Sequence, residues 1–206
     1  MRTGLDKEAL PLVAVEAALA IALGFWSLWA VAAVGMLLVF TVAFFRDPER
    51  SVPVAAGAIL SAADGKIITA GPDKVSIFMN VFDVHVCRAP ISGRVLSVRH
   101  TRGRFLAAFK DRASDQNERT EIVLESGSMR VQFTLVAGLV ARRIVCRVEE
   151  GQLLEAGQRV GLIRFGSRVD VGLPPRARVA VSLGERVVAG ETVLARLAGT
   201  GPPGAP

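Results

Sequence analysis

Few side chains in this sequence are able to do chemistry, which makes the candidates easy to enumerate. Only two of the 206 residues are histidine and two are cysteine. His85 lies in Phe82-Asp83-Val84-His85-Val86-Cys87-Arg88-Ala89-Pro90, and His100 heads a long polar stretch. Ser167, in Arg164-Phe165-Gly166-Ser167, and Asp64, in Ala63-Asp64-Gly65, complete a set from which a Ser-His-Asp arrangement can be drawn. A serine hydroxyl is a weak nucleophile until a base takes its proton, and an imidazole base needs a partner that fixes its ring and tautomer. Acting on an external ester or amide, such a set would make a hydrolase. Each member also has a plain structural reading: a turn serine after glycine, an Asp-Gly turn, a histidine packed in the core.

Other chemistries find less support. Cys87 and Cys146 build no disulfide framework and read as free thiols. No Cys/His cluster has the spacing of a zinc site, so no metal is expected. The formal charge of +6 comes from 25 basic against 19 acidic residues. Only Lys7, Lys66, Lys74 and Lys110 are lysines, and the arginines are scattered rather than set in a stripe with aromatics. Nucleic acid is therefore not an expected partner. An anionic lipid surface is the better use of the charge, each nearby basic group adding roughly 1 kcal/mol.

The elements that must position these residues fall into two textures. From Pro11 to Phe45 the chain is almost continuously apolar, broken by Glu16, Gly24, Ser27, Gly35 and Thr41. One helix over that stretch would reach about 52 Å against a hydrocarbon core of ~30 Å, a poor fit. Gly24-Phe25-Trp26-Ser27-Leu28-Trp29 sits near its middle and holds both tryptophans. Tryptophan favours the membrane interface, so the segment reads as the tip of a helical hairpin, with Glu16 near an interface as well. Two arms of about 22 Å fit either a re-entrant hairpin or a pair of short spans. A cleavable signal peptide is not expected, given the length of the apolar run and the lack of a small-residue cleavage site after it. Residues 1–45 are thus expected to form a membrane anchor, ended by Arg46-Asp47-Pro48-Glu49-Arg50, where proline stops the helix.

Beyond residue 46 short β-branched runs alternate with glycine turns: Gly65–Gly71, Gly93–Val98, Glu121–Leu124 and Met129–Leu135. This spacing predicts a mostly β fold, a glycine-rich sandwich of the barrel-sandwich kind over residues 46–198. Residues 99–119 lack any period and read as a long loop with room for one helical turn, and the Gly/Pro-rich tail 199–206 as disordered. The run Glu150–Gly161 is echoed by Gly184–Val193, a weak internal repeat. Turn-then-strand units of this sort also occur in biotinyl and lipoyl carrier domains, where Lys66 would be the modified residue. The hydrophobic start has no place in that account.

Five short motifs, in order, resemble the phosphatidylserine decarboxylase proenzyme family. They are the apolar start ending Phe45-Arg46-Asp47-Pro48-Glu49-Arg50; Ala63-Asp64-Gly65; Asp83-Val84-His85 with Ala89-Pro90-Ile91-Ser92-Gly93; Asn117-Glu118-Arg119; and Arg164-Phe165-Gly166-Ser167-Arg168-Val169-Asp170. Together they cover about residues 10 to 197, in the compact form of the family. Two positions depart from longer members. Arg88 stands where those carry a second histidine three residues after the first, and Cys87 where asparagine is expected.

The resemblance implies decarboxylation of phosphatidylserine to phosphatidylethanolamine by a pyruvoyl group that the protein makes from its own serine. Decarboxylating an α-amino acid needs an electron sink that no side chain supplies, and a pyruvoyl ketone is one. Ser167 would attack the Gly166 carbonyl and the chain would split into residues 1–166 and 167–206, which stay associated. His85 would act as base, oriented by Asp64, and serve again as acid in the later reaction. Arg88 and His100 are candidate contacts to the lipid headgroup, since a guanidinium grips phosphate oxygens bidentately; a solvent-exposed Arg88 paired with Asp83 is the alternative. An archaeal ether lipid with a serine headgroup would need the same groups. Arg2 and Lys7 at one end of the hairpin and Arg46 and Arg50 at the other place both ends, and the β domain, on the cytoplasmic face of the cell membrane. Homo-oligomerisation is left open.

Overall fold

The computed structural model describes residues 4–24, 26–53, 55–103, 116–138, 143–164 and 166–197. Most of the expected long loop, Phe165 of the Arg-Phe-Gly-Ser run and the Gly/Pro tail lie outside the described residues. The chain divides into two compact units, Met1–Glu49 and Arg50–Pro206.

The first unit is a helical hairpin. After a single 3-10 turn at Lys7–Ala9, α1 runs Leu10–Gly24 and α2 runs Leu28–Phe44. Pro11 falls in the first turn of α1, where its missing N–H costs no bond. Gly24 ends α1, and Ser27 caps α2 by accepting from the Ala30 amide at 3.4 Å. Trp26 and Trp29 stand exposed at this tip. Glu16, which the apolar pattern places near an interface, is instead buried, its Oε1 accepting from Thr41 Oγ1 of α2 at 2.8 Å. Residues 46–49 stay with the helices rather than with the β unit, because Leu5 bridges to Arg46 and the Asp47 amide donates to the Gly4 carbonyl.

The second unit holds fourteen strands among its described residues, in three antiparallel sheets. The strands are β1 (Ala58–Leu60), β2 (Gly65–Ala70), β3 (Lys74–Met79), β4 (Val86–Arg88), β5 (Gly93–Thr101), β6 (Arg119–Ser126), β7 (Met129–Val136), β8 (Ile144–Cys146), β9 (Leu153–Leu154), β10 (Arg159–Ile163), β11 (Ser167–Gly172), β12 (Ala177–Val179), β13 (Arg186–Val187) and β14 (Val193–Leu197). The large sheet has the order β13-β2-β3-β11-β7-β6-β5-β9, and the small ones β1-β14-β12 and β4-β10-β8. Among the described residues no sheet closes into a barrel. Ile77, Val169 and Leu135 stand side by side on three adjoining strands of the large sheet and are wholly buried.

The fold is built twice. Strands β4–β10 repeat, in order and pairing, the set β1, β2, β3, β11, β12, β13, β14. β1 pairs β14 as β4 pairs β10, and β2 pairs β13 as β5 pairs β9. The ladder slips at Ile67/Thr69 in one copy and at Val95/Ser97 in the other. The Ala189 amide donates to Asp64 Oδ1 at 2.8 Å, and its counterpart, the Ala156 amide, donates to Ser92 Oγ at 2.8 Å. The echo between residues 150–161 and 184–193 is thus the trace of a structural duplication.

One hairpin differs between the copies, and Gly166-Ser167 lies on it. β6 and β7 are joined by a tight turn at Gly127-Ser128. The matching pair, β3 and β11, is interrupted: residues 80–166, containing the whole second copy, are inserted at its tip. Gly127 has φ 60 and Gly166 φ 64. Gly166-Ser167 is therefore the returning edge of an opened turn, in a backbone conformation that glycine adopts without the Cβ clash other residues suffer.

Candidate active site

β11 begins at Ser167, which pairs with Met79 at the end of β3. A turn at residues 80–83 follows Met79, closed by the Asn80 amide on Asp83 Oδ2 at 2.8 Å. His85 comes next, and its carbonyl accepts from the Ile163 amide at the end of β10 at 3.3 Å. Met79 thus pairs with Ser167, and the His85 carbonyl with the Ile163 amide, so the segments that carry His85 and Ser167 adjoin at two points. Both residues are fully buried.

His85 Nδ1 lies 2.8 Å from the Asp83 carbonyl oxygen. A carbonyl only accepts, so Nδ1 carries the proton and the neutral ring has its lone pair on Nε2, the arrangement a base requires. The contact that fixes the tautomer at Nδ1 is thus a backbone oxygen. Ser167 Oγ is buried and has no hydrogen-bond partner among the described residues. Buried hydroxyls are normally bonded, so such an atom is a candidate for chemistry rather than for structure. Among the described residues, its chain neighbours aside, nothing lies within 4 Å of where a Cβ on Gly166 would stand.

Asp64 precedes β2 and is held from two sides: Oδ2 by Arg50 Nη2 at 2.8 Å and Oδ1 by the Ala189 amide. Burial pushes its carboxyl above the usual aspartate value, outweighing the Ala189 hydrogen bond and the Arg50 charge, which pull it down. The charge of Asp83 also raises it, and Asp64 in turn raises the Cys87 thiol, so Asp64, Asp83 and Cys87 share one electrostatic neighbourhood. Burial is the main cause of the high Cys87 value; Cys146 is raised too, and both thiols are free. Among the described residues no three His, Cys, Asp or Glu side chains are grouped to hold a metal.

The two candidate headgroup contacts lie apart in character. Arg88 is only 4% exposed, with Nη1 donating to the Gly157 carbonyl at 3.0 Å, so the solvent-exposed alternative does not hold. Asp83 pairs instead with Arg186, Nη1 to Oδ1 at 3.0 Å. The His100 side chain is 47% exposed, beside Glu118 at 3.8 Å and Thr120 Oγ1 at 3.1 Å. Asn117 of the Asn-Glu-Arg motif is buried and donates through Nδ2 to the Ala137 carbonyl at 2.8 Å, fixing the return of the long segment onto β7. A polar groove of about 340 Å³, lined by Lys74, Arg119, Glu121, Gln132, Thr134 and Asp170, lies on the face of the large sheet away from Ser167.

Sequence reasoning missed Arg50, read only as the end of the anchor, and Arg186. Nothing local marks either one, since each meets its aspartate through the sheet topology.

Comparison with known proteins bears on the same residues. A model of the family described as phosphatidylserine decarboxylase matches residues 69–195. The phosphatidylserine decarboxylase proenzyme of Pelobacter propionicus is 48% identical over 189 residues, covering 86% of this chain and 84% of that protein. The proenzyme of Burkholderia mallei is 45% identical over 209 residues, covering 93% and 94%. That of Oleidesulfovibrio alaskensis is 47% identical over 200 residues, covering 91% and 92%. With a family match over residues 69–195 and relatives 45–48% identical over most of its length, the chain belongs to the phosphatidylserine decarboxylase family.

Proposed function

We propose that this protein converts phosphatidylserine to phosphatidylethanolamine and carbon dioxide, using a pyruvoyl group made from its own Ser167. The observation that carries the reading is the state of Ser167: a wholly buried hydroxyl without a hydrogen-bond partner among the described residues, next to a glycine with φ 64. A hydrolase acting on external substrates would need that hydroxyl open to them, and Ser167 is 0% exposed. A carrier domain gives neither Ser167 nor His85 a task.

In this reading Ser167 Oγ adds to the Gly166 carbonyl carbon while His85 Nε2 takes the hydroxyl proton. The peptide C–N bond breaks, the proton passes to the freed amine of residue 167, and an ester joins Gly166 to Oγ. Loss of the residue 167 Cα proton and departure of the Gly166 carboxylate from Cβ separate residues 1–166 from 167–206 and leave dehydroalanine. Water converts that to the keto group with release of ammonia. Once made, the pyruvoyl group supplies the electron sink for decarboxylation. The residues around it then have separate tasks. The Asp83 carbonyl keeps His85 in one tautomer, and the ring, once protonated, returns a proton to the decarboxylated carbon. Arg50 and the Ala189 amide hold Asp64 in place. His100 is better placed than Arg88 for a headgroup phosphate, because the Arg88 fork is buried against the Gly157 carbonyl. An ether lipid with the same serine headgroup would satisfy the same groups.

Purified protein given phosphatidylserine in mixed micelles is expected to form one phosphatidylethanolamine per carbon dioxide released. Hydroxylamine, which captures ketones, should abolish the activity. Full activity after hydroxylamine treatment would contradict the pyruvoyl assignment.

The hairpin is proposed to enter the bilayer from the cytoplasmic side. α1 and α2, of 15 and 17 residues, are about 22 and 26 Å long against a core of ~30 Å. Among the described residues no helix is long and apolar enough to cross a membrane, and the exposed Trp26, Leu28 and Trp29 at the tip suit partial entry. Single cysteines at Gly4 and Val52, read over the background of Cys87 and Cys146, should both label from the cytoplasmic side. Labelling from opposite sides would mean one span.

A further inference from the structure

Arg168, the residue after the proposed cleavage point, has no part in the chemistry above, yet it is the largest fully buried side chain among the described residues. It projects from β11 to the face opposite Ser167, as strand alternation requires. There its Nε donates to Asp170 Oδ1 at 2.6 Å and its Nη2 to Ser76 Oγ at 3.0 Å. Ser76 stands directly across from Asp170 on β3, so the three side chains stitch β3 to β11. A guanidinium is costly to bury, and these partners offset that cost.

The consequence follows from where the chain would be cut, and so rests on the self-cleavage reading. Before cleavage β11 is tethered at both ends. Afterwards residue 167 is a chain terminus, and termini fray unless tied down. Ser76 then belongs to the larger chain and Arg168 to the smaller, and the reactive group hangs on the Arg168 backbone nitrogen. We propose that Arg168, with Asp170 and Ser76, is the positioning residue that anchors the new N-terminus and fixes the orientation of the group it carries. It acts through that group and does not touch substrate.

The test compares Arg168→Met and Arg168→Lys in two backgrounds, cleaved protein and the uncut Ser167→Ala chain, by hydrogen exchange of the amides of residues 169–171. In cleaved protein Arg168→Met should speed exchange about tenfold or more, with a much smaller change in the uncut chain. Arg168→Lys, which keeps one charged contact to Asp170, should fall between. The turnover number of cleaved Arg168→Met should drop while its KM for phosphatidylserine stays put. Ser76→Ala, which leaves the ion pair intact, provides the same comparison if Arg168→Met does not fold. Equal acceleration of exchange in both backgrounds would reduce Arg168 to a general stabiliser and overturn the proposal. A parent protein that never cleaves would remove the reading beneath it instead, which tells the two failures apart.

Discussion

Ser167→Ala is expected to stay a single 21.9 kDa chain with no decarboxylase activity. Alanine has no atom that can add to the Gly166 carbonyl, and no other side chain can become the keto group. The loss should be complete rather than graded, because the substitution removes the precursor of the prosthetic group and not a helper. The fold should survive. Ser167 Oγ makes no hydrogen bond among the described residues, so trading it for hydrogen leaves no partner unsatisfied. The ladder from Ser167 to Gly172 against β3 is made of backbone groups that alanine keeps. A thermal midpoint close to that of the parent, alongside an uncut chain on a denaturing gel, is the expected pair of results. The turn at Gly127-Ser128 is the internal control. It has a similar glycine φ and the same dipeptide, but it closes an ordinary hairpin on the surface and should never be cut.

The second large effect is at His85. Removing a positioned base typically costs about 10²–10⁴-fold in rate, so His85→Ala should accumulate as uncut precursor over times in which the parent is fully split. Asp64→Ala should also slow cleavage greatly, and Asp64→Asn separates the reasons. Asparagine can still accept the Ala189 amide but carries no charge for Arg50. If Asp64→Asn cleaves as the parent does, the charge of Asp64 is not needed and its role is to hold residues 64 and 189 together. Burial raises the Asp64 carboxyl above its ordinary value of 3.8. Cleavage that depends on its ionised form should therefore fall away on acidification at a higher pH than an ordinary aspartate would set. Densitometry of precursor against product over time, across pH, measures all three variants.

The strands were the most legible part of this protein in its sequence. Gly65–Gly71, Gly93–Val98, Glu121–Leu124 and Met129–Leu135 all fall on strands of the large sheet, because β-branched alternation between glycine turns is a local signal. The hairpin tip at Gly24–Trp29 was legible from its two tryptophans and from an apolar run too long for one span; in the structure Gly24 ends α1 and Ser27 caps α2. What the sequence hid is what depends on pairing at a distance. Glu16 finds Thr41 across the helix pair, and Asp64 finds Arg50 and Ala189 from opposite ends of the chain order. Arg168 is a further case: an arginine in a strand ordinarily reads as solvated, and only the register of β3 against β11 places Ser76 and Asp170 where they satisfy it. The duplication showed as a faint echo between residues 150–161 and 184–193. That it opens one hairpin and leaves Gly166-Ser167 on the returning edge could be seen only in the sheet order.

The intact mass of the purified wild-type protein tests the central claim most directly. Two chains are expected, residues 1–166 and residues 167–206, with the smaller lighter by one ammonia than the serine-started peptide. A single active species at 21.9 kDa, or a smaller chain that begins with unmodified serine, would contradict it.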